Sequence, residues 1–117
     1  MAYMLLIVEP TGQRAERSEE AGRELYDRMA AFGADLKARG RLLAAESLAS
    51  QDSAVRVQQR DGRARLMDGP FAEAKEMIGG FFLLDCATRE EAVAIAQTCP
   101  AAQWCTVEVR EVAPCYR

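Results

Sequence analysis

Residues 66–85 read LMDGPFAEAKEMIGGFFLLD, and two interruptions in this stretch divide the chain into elements. Asp68, Gly69 and Pro70 form a turn: Gly69 supplies conformational freedom, Pro70 fixes its own φ and disfavours helix before it, and Asp68 is suited to hydrogen-bond the following backbone. Phe71 is expected to fold back as a core plug. After a short charged segment, Gly79 and Gly80 are expected to release the chain into an apolar strand, Gly80–Cys86. Phe81 and Leu83 take one side of that strand and Phe82 and Leu84 the other, so both faces call for cover. These glycines open a strand rather than a helix, which argues against a phosphate cradle.

Upstream, Asp61-Gly62 separates two short alternating segments, 54–59 and 63–67, the pattern of a β-hairpin. The segment RLLAAESL, residues 41–48, reads as a strand that brings Glu46 to its far end. Before it, Ser18 caps a helix with Glu19 and Glu20 in its first turn, Leu25, Met29, Phe32 and Leu36 along one side, and Gly40 as its stop. Tyr3–Glu9 is the first strand, closed by Pro10 and Gly12, with apolar residues on both parities. Downstream, Thr88 and Glu91 make a capping box for a second helix carrying Ala92, Ile95, Ala96 and Cys99, which Pro100 ends. Cys105–Val112 alternates as a half-exposed edge strand would.

The order predicts an α+β fold: a ferredoxin-like βαββαβ arrangement with an inserted β-hairpin, two helices on one face of an antiparallel sheet, in a single domain over residues 1–117. Helices on one face leave the other face apolar, at about 25 cal/mol for each Å² left wet. The expected cover is a second copy of the sheet, and hence a homodimer.

Composition removes several function classes. The net charge is −3 with basic residues interleaved among acids, so no nucleic-acid partner is expected. The apolar run Tyr3–Val8 is too short for a membrane span or a signal peptide, which predicts a cytoplasmic protein with no membrane partner. There is no His, which removes histidine acid–base work, histidine metal ligation and serine–histidine hydrolysis. Cys86, Cys99, Cys105 and Cys115 follow one another at intervals of 13, 6 and 10 residues, which fits neither zinc pairs nor CxxC. Cys86 and Cys105 read as small buried hydrophobes and Cys115 as an exposed thiol; no metal and no cofactor are expected.

The stretch 66–85, together with Met4–Val8, GRLLAAESL at 40–48 and CPAA at 99–102, resembles the DGPF-type branch of the YCII-related family over nearly the whole chain. The resemblance implies a dimeric ferredoxin-like α+β barrel. It also implies a cleft with few polar groups, since that superfamily includes isomerases, dehydrochlorinases and cofactor-independent monooxygenases. Some members of the wider family carry a His on the first helix, proposed to pair with an Asp; here helix register puts Met29 at that position, so the dyad does not carry over.

Two functions follow. One is small-molecule binding without catalysis, in a pocket between the Asp68–Phe71 loop and the helices, lined by Glu46, Arg65, Phe71, Glu73 and Lys75. The other is a cofactor-independent isomerase, lyase or dehydrochlorinase in the same pocket, with Asp68 as general base and Lys75 or Arg65 holding an anionic substrate.

Overall fold

A computed structural model describes all residues 1–117. Six strands and two α-helices follow in the order β1 (Ala2–Pro10), α1 (Glu19–Ala38), β2 (Leu42–Ser47), β3 (Val55–Arg60), β4 (Arg63–Asp68), β5 (Glu76–Asp85), α2 (Arg89–Gln97) and β6 (Thr106–Glu111), with short 3-10 turns at Arg14–Glu16, Gln51–Ser53 and Pro100–Gln103. The main sheet has the order β2-β5-β1-β6, and its strands pair antiparallel throughout. The helices lie on one face of it. With the β3–β4 pair set aside, this is the ferredoxin-like βαββαβ arrangement.

Parity decides which side chains are buried. Tyr3, Leu5 and Ile7 of β1 face the helices with Phe82 and Leu84 of β5, Phe32 and Leu36 of α1, and Ala92, Ile95 and Ala96 of α2. Gly33 lets α1 approach the sheet closely, because a Cβ there would stand 3.3 Å from the ring of Phe82. The rings of Phe32 and Phe82 meet edge to face at 5.2 Å. On the opposite face, Met4, Leu6, Val8, Phe81 and Leu83 are only half-buried and Ile78 is exposed.

Both helices are capped from their own sequence. Ser18 Oγ accepts from the amide of Ala21 at 3.1 Å, and Thr88 Oγ1 from that of Glu91 at 3.2 Å. The Glu91 carboxylate reaches back to the amide of Ala87, one residue before the cap.

β3 and β4 form a separate two-stranded ribbon that packs substantially only on itself. Asp61 and Gly62 at its tip both have positive φ, +54° and +75°, as a type I′ turn requires. Every residue of both strands is exposed. We call this ribbon, with the loop to β5, the arm.

Gly79 and Gly80 do more than open a strand. β5 begins at Glu76, so both glycines lie inside it. Ile7 pairs with Gly80 and Val8 with Ile78, which makes Gly79 the extra residue of a β-bulge. The reason a glycine stands there lies across the sheet, in the side chain of Glu9.

Candidate functional site

A cleft of about 660 Å³ opens between the first half of α1 and the β2-β5-β1 part of the sheet. Its apolar lining comes from Ile7, Met29, Ala45, Phe82 and Trp104, and its polar groups gather at the end of β1. Glu9 has the same parity as Tyr3, Leu5 and Ile7 and so points to the helix face, where it is the one buried charged residue, 8% exposed.

Arg14 compensates that burial. The turn at Arg14–Glu16 brings its guanidinium back over the strand, where Nε donates to Glu9 Oε1 at 2.6 Å. Nη1 donates to the carbonyl of Leu48 at 2.9 Å, and the amide of Leu48 donates to the carbonyl of Gly79 at 2.9 Å. One chain of bonds thus ties the end of β2 and the bulge of β5 to the Glu9–Arg14 pair. Glu9 Oε2 takes no hydrogen bond from the protein and lies over Gly79, where any Cβ would overlap it; Arg14 Nη2 is 3.0 Å from the same point. An acceptor and a cationic donor therefore border one spot in the cleft.

Around this pair the cleft carries mixed charge. Arg23 is bonded to Glu19 at 2.8 Å, Arg17 is half-buried, and Arg28 lies 5.1 Å from the centre of the Trp104 ring, to which it presents its cation. Gln13 Nε2 donates to the carbonyl of Trp104 at 2.7 Å, while its Oε1 is buried without a partner. Behind the cleft wall, Met29 Sδ is 4.0 Å from Sγ of the core residue Cys99. Burial pushes the thiols of Cys99 and Cys105 upward, and the carboxylate of Glu9 adds to the effect on Cys105, which reaches about 11. Both are therefore neutral thiols at physiological pH. No group of three or more His, Cys, Asp or Glu side chains converges as metal ligands do.

The six residues singled out from the sequence separate. Glu46 lines the cleft. Arg65 and Glu73 instead border a second concavity, about 530 Å³, on the arm, with Arg56, Gln58, Leu66 and Met67. Phe71 is buried, yet it belongs to a small packing unit of its own outside the main core, with the Arg56 guanidinium 3.7 Å above its ring. Lys75 is exposed and serves through its carbonyl, which accepts from the amide of Thr11 at 2.9 Å. Asp68 is exposed at the end of β4, makes no side-chain hydrogen bond and borders neither concavity. The strands of the arm make no substantial contact with either helix, and no residue of 55–75 lines the cleft. Gly69 instead sits hard against the Gln51–Ser53 turn: its amide donates to the carbonyl of Ala54 at 2.8 Å, and a Cβ would overlap the carbonyl oxygen of Gln51.

Neither Glu9 nor Arg14 is among those six, although one signal was available. Glu9 continues the core-facing parity of an apolar strand, where a carboxylate needs a partner.

Comparison with known proteins agrees with this architecture. The model of the YCII-related domain matches residues 1–115. An uncharacterised protein of Rhizobium meliloti (strain 1021) is 30% identical over 97 residues, which cover 83% of this chain and 78% of that protein. Among solved structures, 5-chloro-2-hydroxyhydroquinone dehydrochlorinase (TftG) from Burkholderia phenoliruptrix AC1100, determined in complex with 2,5-dihydroxybenzoquinone, superimposes with a TM-score of 0.56. The match covers 97% of this chain and 94% of that one at 13% identity, a likeness of fold.

Proposed function

We propose, from the premise that this chain belongs to the YCII-related domain family, that it binds a small planar molecule bearing hydroxyl or carbonyl oxygens in the cleft between α1 and the sheet. The observation that carries the reading is the pairing of Glu9 Oε2, free of protein donors, with Arg14 Nη2 at one point over Gly79. A hydroxyl donates to the first and a carbonyl or oxyanion accepts from the second, while Phe82, Ile7 and Met29 take the ring. The dihydroxyquinone held by the structurally similar dehydrochlorinase has this chemistry. It is therefore the probe for the test.

Calorimetric titration with 2,5-dihydroxybenzoquinone is expected to give saturable binding that Glu9→Gln weakens at least tenfold, as the loss of a charge-assisted hydrogen bond implies at about 1.4 kcal/mol per decade. Asp68→Asn is expected to leave it unchanged. Equal binding by wild type and Glu9→Gln overturns the reading.

A cofactor-independent enzyme of isomerase, lyase or dehydrochlorinase type is the second reading, favoured by the buried carboxylate itself. In that case the proton acceptor is Glu9, which stands inside the cleft, rather than the exposed Asp68. Turnover lost in Glu9→Gln and retained in Asp68→Asn is the result that reading requires.

The same proposal places the chain in the DGPF-type branch, on Asp68–Phe71, and in the cytoplasm, where the free buried thiols of Cys86 and Cys99 suit a reducing compartment. No helix is long and apolar enough to cross a membrane. It also makes the chain a homodimer through the half-buried Met4, Leu6, Val8, Phe81 and Leu83 face. Light scattering at micromolar concentration is expected to give twice the chain mass, and a clean monomer contradicts it.

A further inference from the structure

The accessible surface of this chain is 8101 Å², against about 6,300 Å² for a compact monomer of 12.9 kDa. Its radius of gyration is 16.0 Å, where a compact chain of this length has about 13 Å. The excess surface, about 1,800 Å², exceeds the roughly 800 Å² that each partner contributes to a standard interface. A large share belongs to the arm, since none of its strand residues is covered.

The ribbon has two unlike faces. Register puts Val55, Val57, Leu66 and Ala64 on one side, with Val57 directly opposite Leu66 and with Asp68 and Gln59 at the two ends of that side. Val55, Val57 and Leu66 are 53%, 62% and 69% exposed. The other side carries Arg56, Arg60, Arg63 and Arg65, with Gln58 and Met67. None of these four arginines forms an ion pair within the chain, although Glu73 borders the same concavity as Arg56 and Arg65. A two-stranded ribbon standing alone is marginal in water, and a face of valine and leucine needs cover.

We infer that the β3–β4 arm is a clasp that docks its Val55, Val57 and Leu66 face on the body of a second copy of this chain, which rests on the homodimer proposed above. Charge favours the same occupant. Residues 55–68 carry four arginines against Asp61 and Asp68, a balance of +2, while the whole chain is −3, so the remainder is −5. The arginines lie on the side of the ribbon away from the docked face, so the net charge of the arm acts at long range, drawing the arm of one copy toward the acidic body of the other; an anionic polymer would be repelled by that body. In this assembly the sheet faces supply one part of the buried surface and the two arms a second, separate part.

Sedimentation velocity of the full chain tests this with the double variant Val57→Asp/Leu66→Asp. Both residues are exposed in the single chain, so far-UV circular dichroism is expected to stay unchanged. The dimer dissociation constant is expected to rise at least a hundredfold. A Leu6→Glu variant, on the sheet face, separates the two claims. A dimer broken by Leu6→Glu but intact in the arm variant overturns the clasp while the sheet-face dimer stands; a monomeric wild type overturns both. Hydrogen exchange of the wild type needs no substitution: amides of residues 55–68 are expected to exchange more slowly as concentration rises through the dissociation constant. Concentration-independent exchange overturns the clasp, and so does an intact arm-variant dimer in which the wild-type arm instead binds duplex DNA at physiological salt.

Discussion

β1 and β5 bury Leu5 and Leu84 completely, whereas β3 and β4, with Arg or Gln at six of their twelve positions, bury none of their side chains. The difference comes from what each pair packs against rather than from its alternation. The central strands have α1 and α2 over one face, and their odd-parity residues in β1 enter a shared core. The β3–β4 ribbon has only the Phe71 loop against its Arg56 side and nothing over its Val57 side within the chain. A strand's pattern therefore fixes which residues share a side, while the presence of a second layer decides whether that side becomes a core, a ligand site or a docking surface.

The largest effect expected to sharpen this contrast is on stability. Leu84→Ala is predicted to cost about 2–5 kcal/mol in urea unfolding, because it empties a fully buried site. Leu66→Ala, measured in dilute solution where the chain is monomeric, is predicted to cost less than about 0.5 kcal/mol. Comparable losses at the two sites would break the comparison.

Next in size is Gly79→Ala. Its Cβ overlaps Glu9 Oε2, and Glu9 is held by Arg14, so the pair or the bulge must move. We predict a loss of about 1–3 kcal/mol, as for overpacking in a tight interior, together with loss of quinone binding. Unfolding curves and titration read the two effects separately, and unchanged binding would mean that the Glu9–Arg14 geometry is not what the ligand meets. Thr88→Ala, which removes the cap of α2, is predicted to cost about 1 kcal/mol, in the body alone.

What the sequence discloses tracks how local the cause is. Ser18, Thr88 and the four-and-three spacing of Leu25, Met29, Phe32 and Leu36 announce the helices because each cap or stripe acts within a few residues. The Asp61-Gly62 turn is legible for the same reason. The role of Gly79 is not, since it depends on a carboxylate seventy positions earlier that only the antiparallel pairing of β1 with β5 brings alongside. The fate of Asp68 is hidden likewise: turn chemistry is local, but the direction in which the arm leaves the body is not. Of the expected site residues, Glu46 reached the cleft because it lies on β2, a body strand; Arg65, Phe71, Glu73 and Lys75 went with the arm and its loop.

The smallest predicted effect concerns pH. Cys105 is pushed up to about 11 in the folded chain from the ordinary 9.0, chiefly by burial. The folded state therefore holds this proton more tightly than the unfolded state. The associated stabilisation is complete below pH 9 and is lost as pH rises toward about 11. Iodoacetamide is expected to modify the exposed Cys115 at pH 8 and Cys105 only at far higher pH. Equal labelling rates at pH 8 would show that the packing around Cys105 is open to solvent and reagent.

Amide chemical-shift mapping during titration with 2,5-dihydroxybenzoquinone bears most directly on where this chain meets a ligand. The structure predicts perturbations confined to the body, at Ile7, Glu9, Met29, Gly79 and Gly80, with residues 55–75 unmoved. Shifts centred on Asp68–Lys75 with the Glu9 region silent would contradict it.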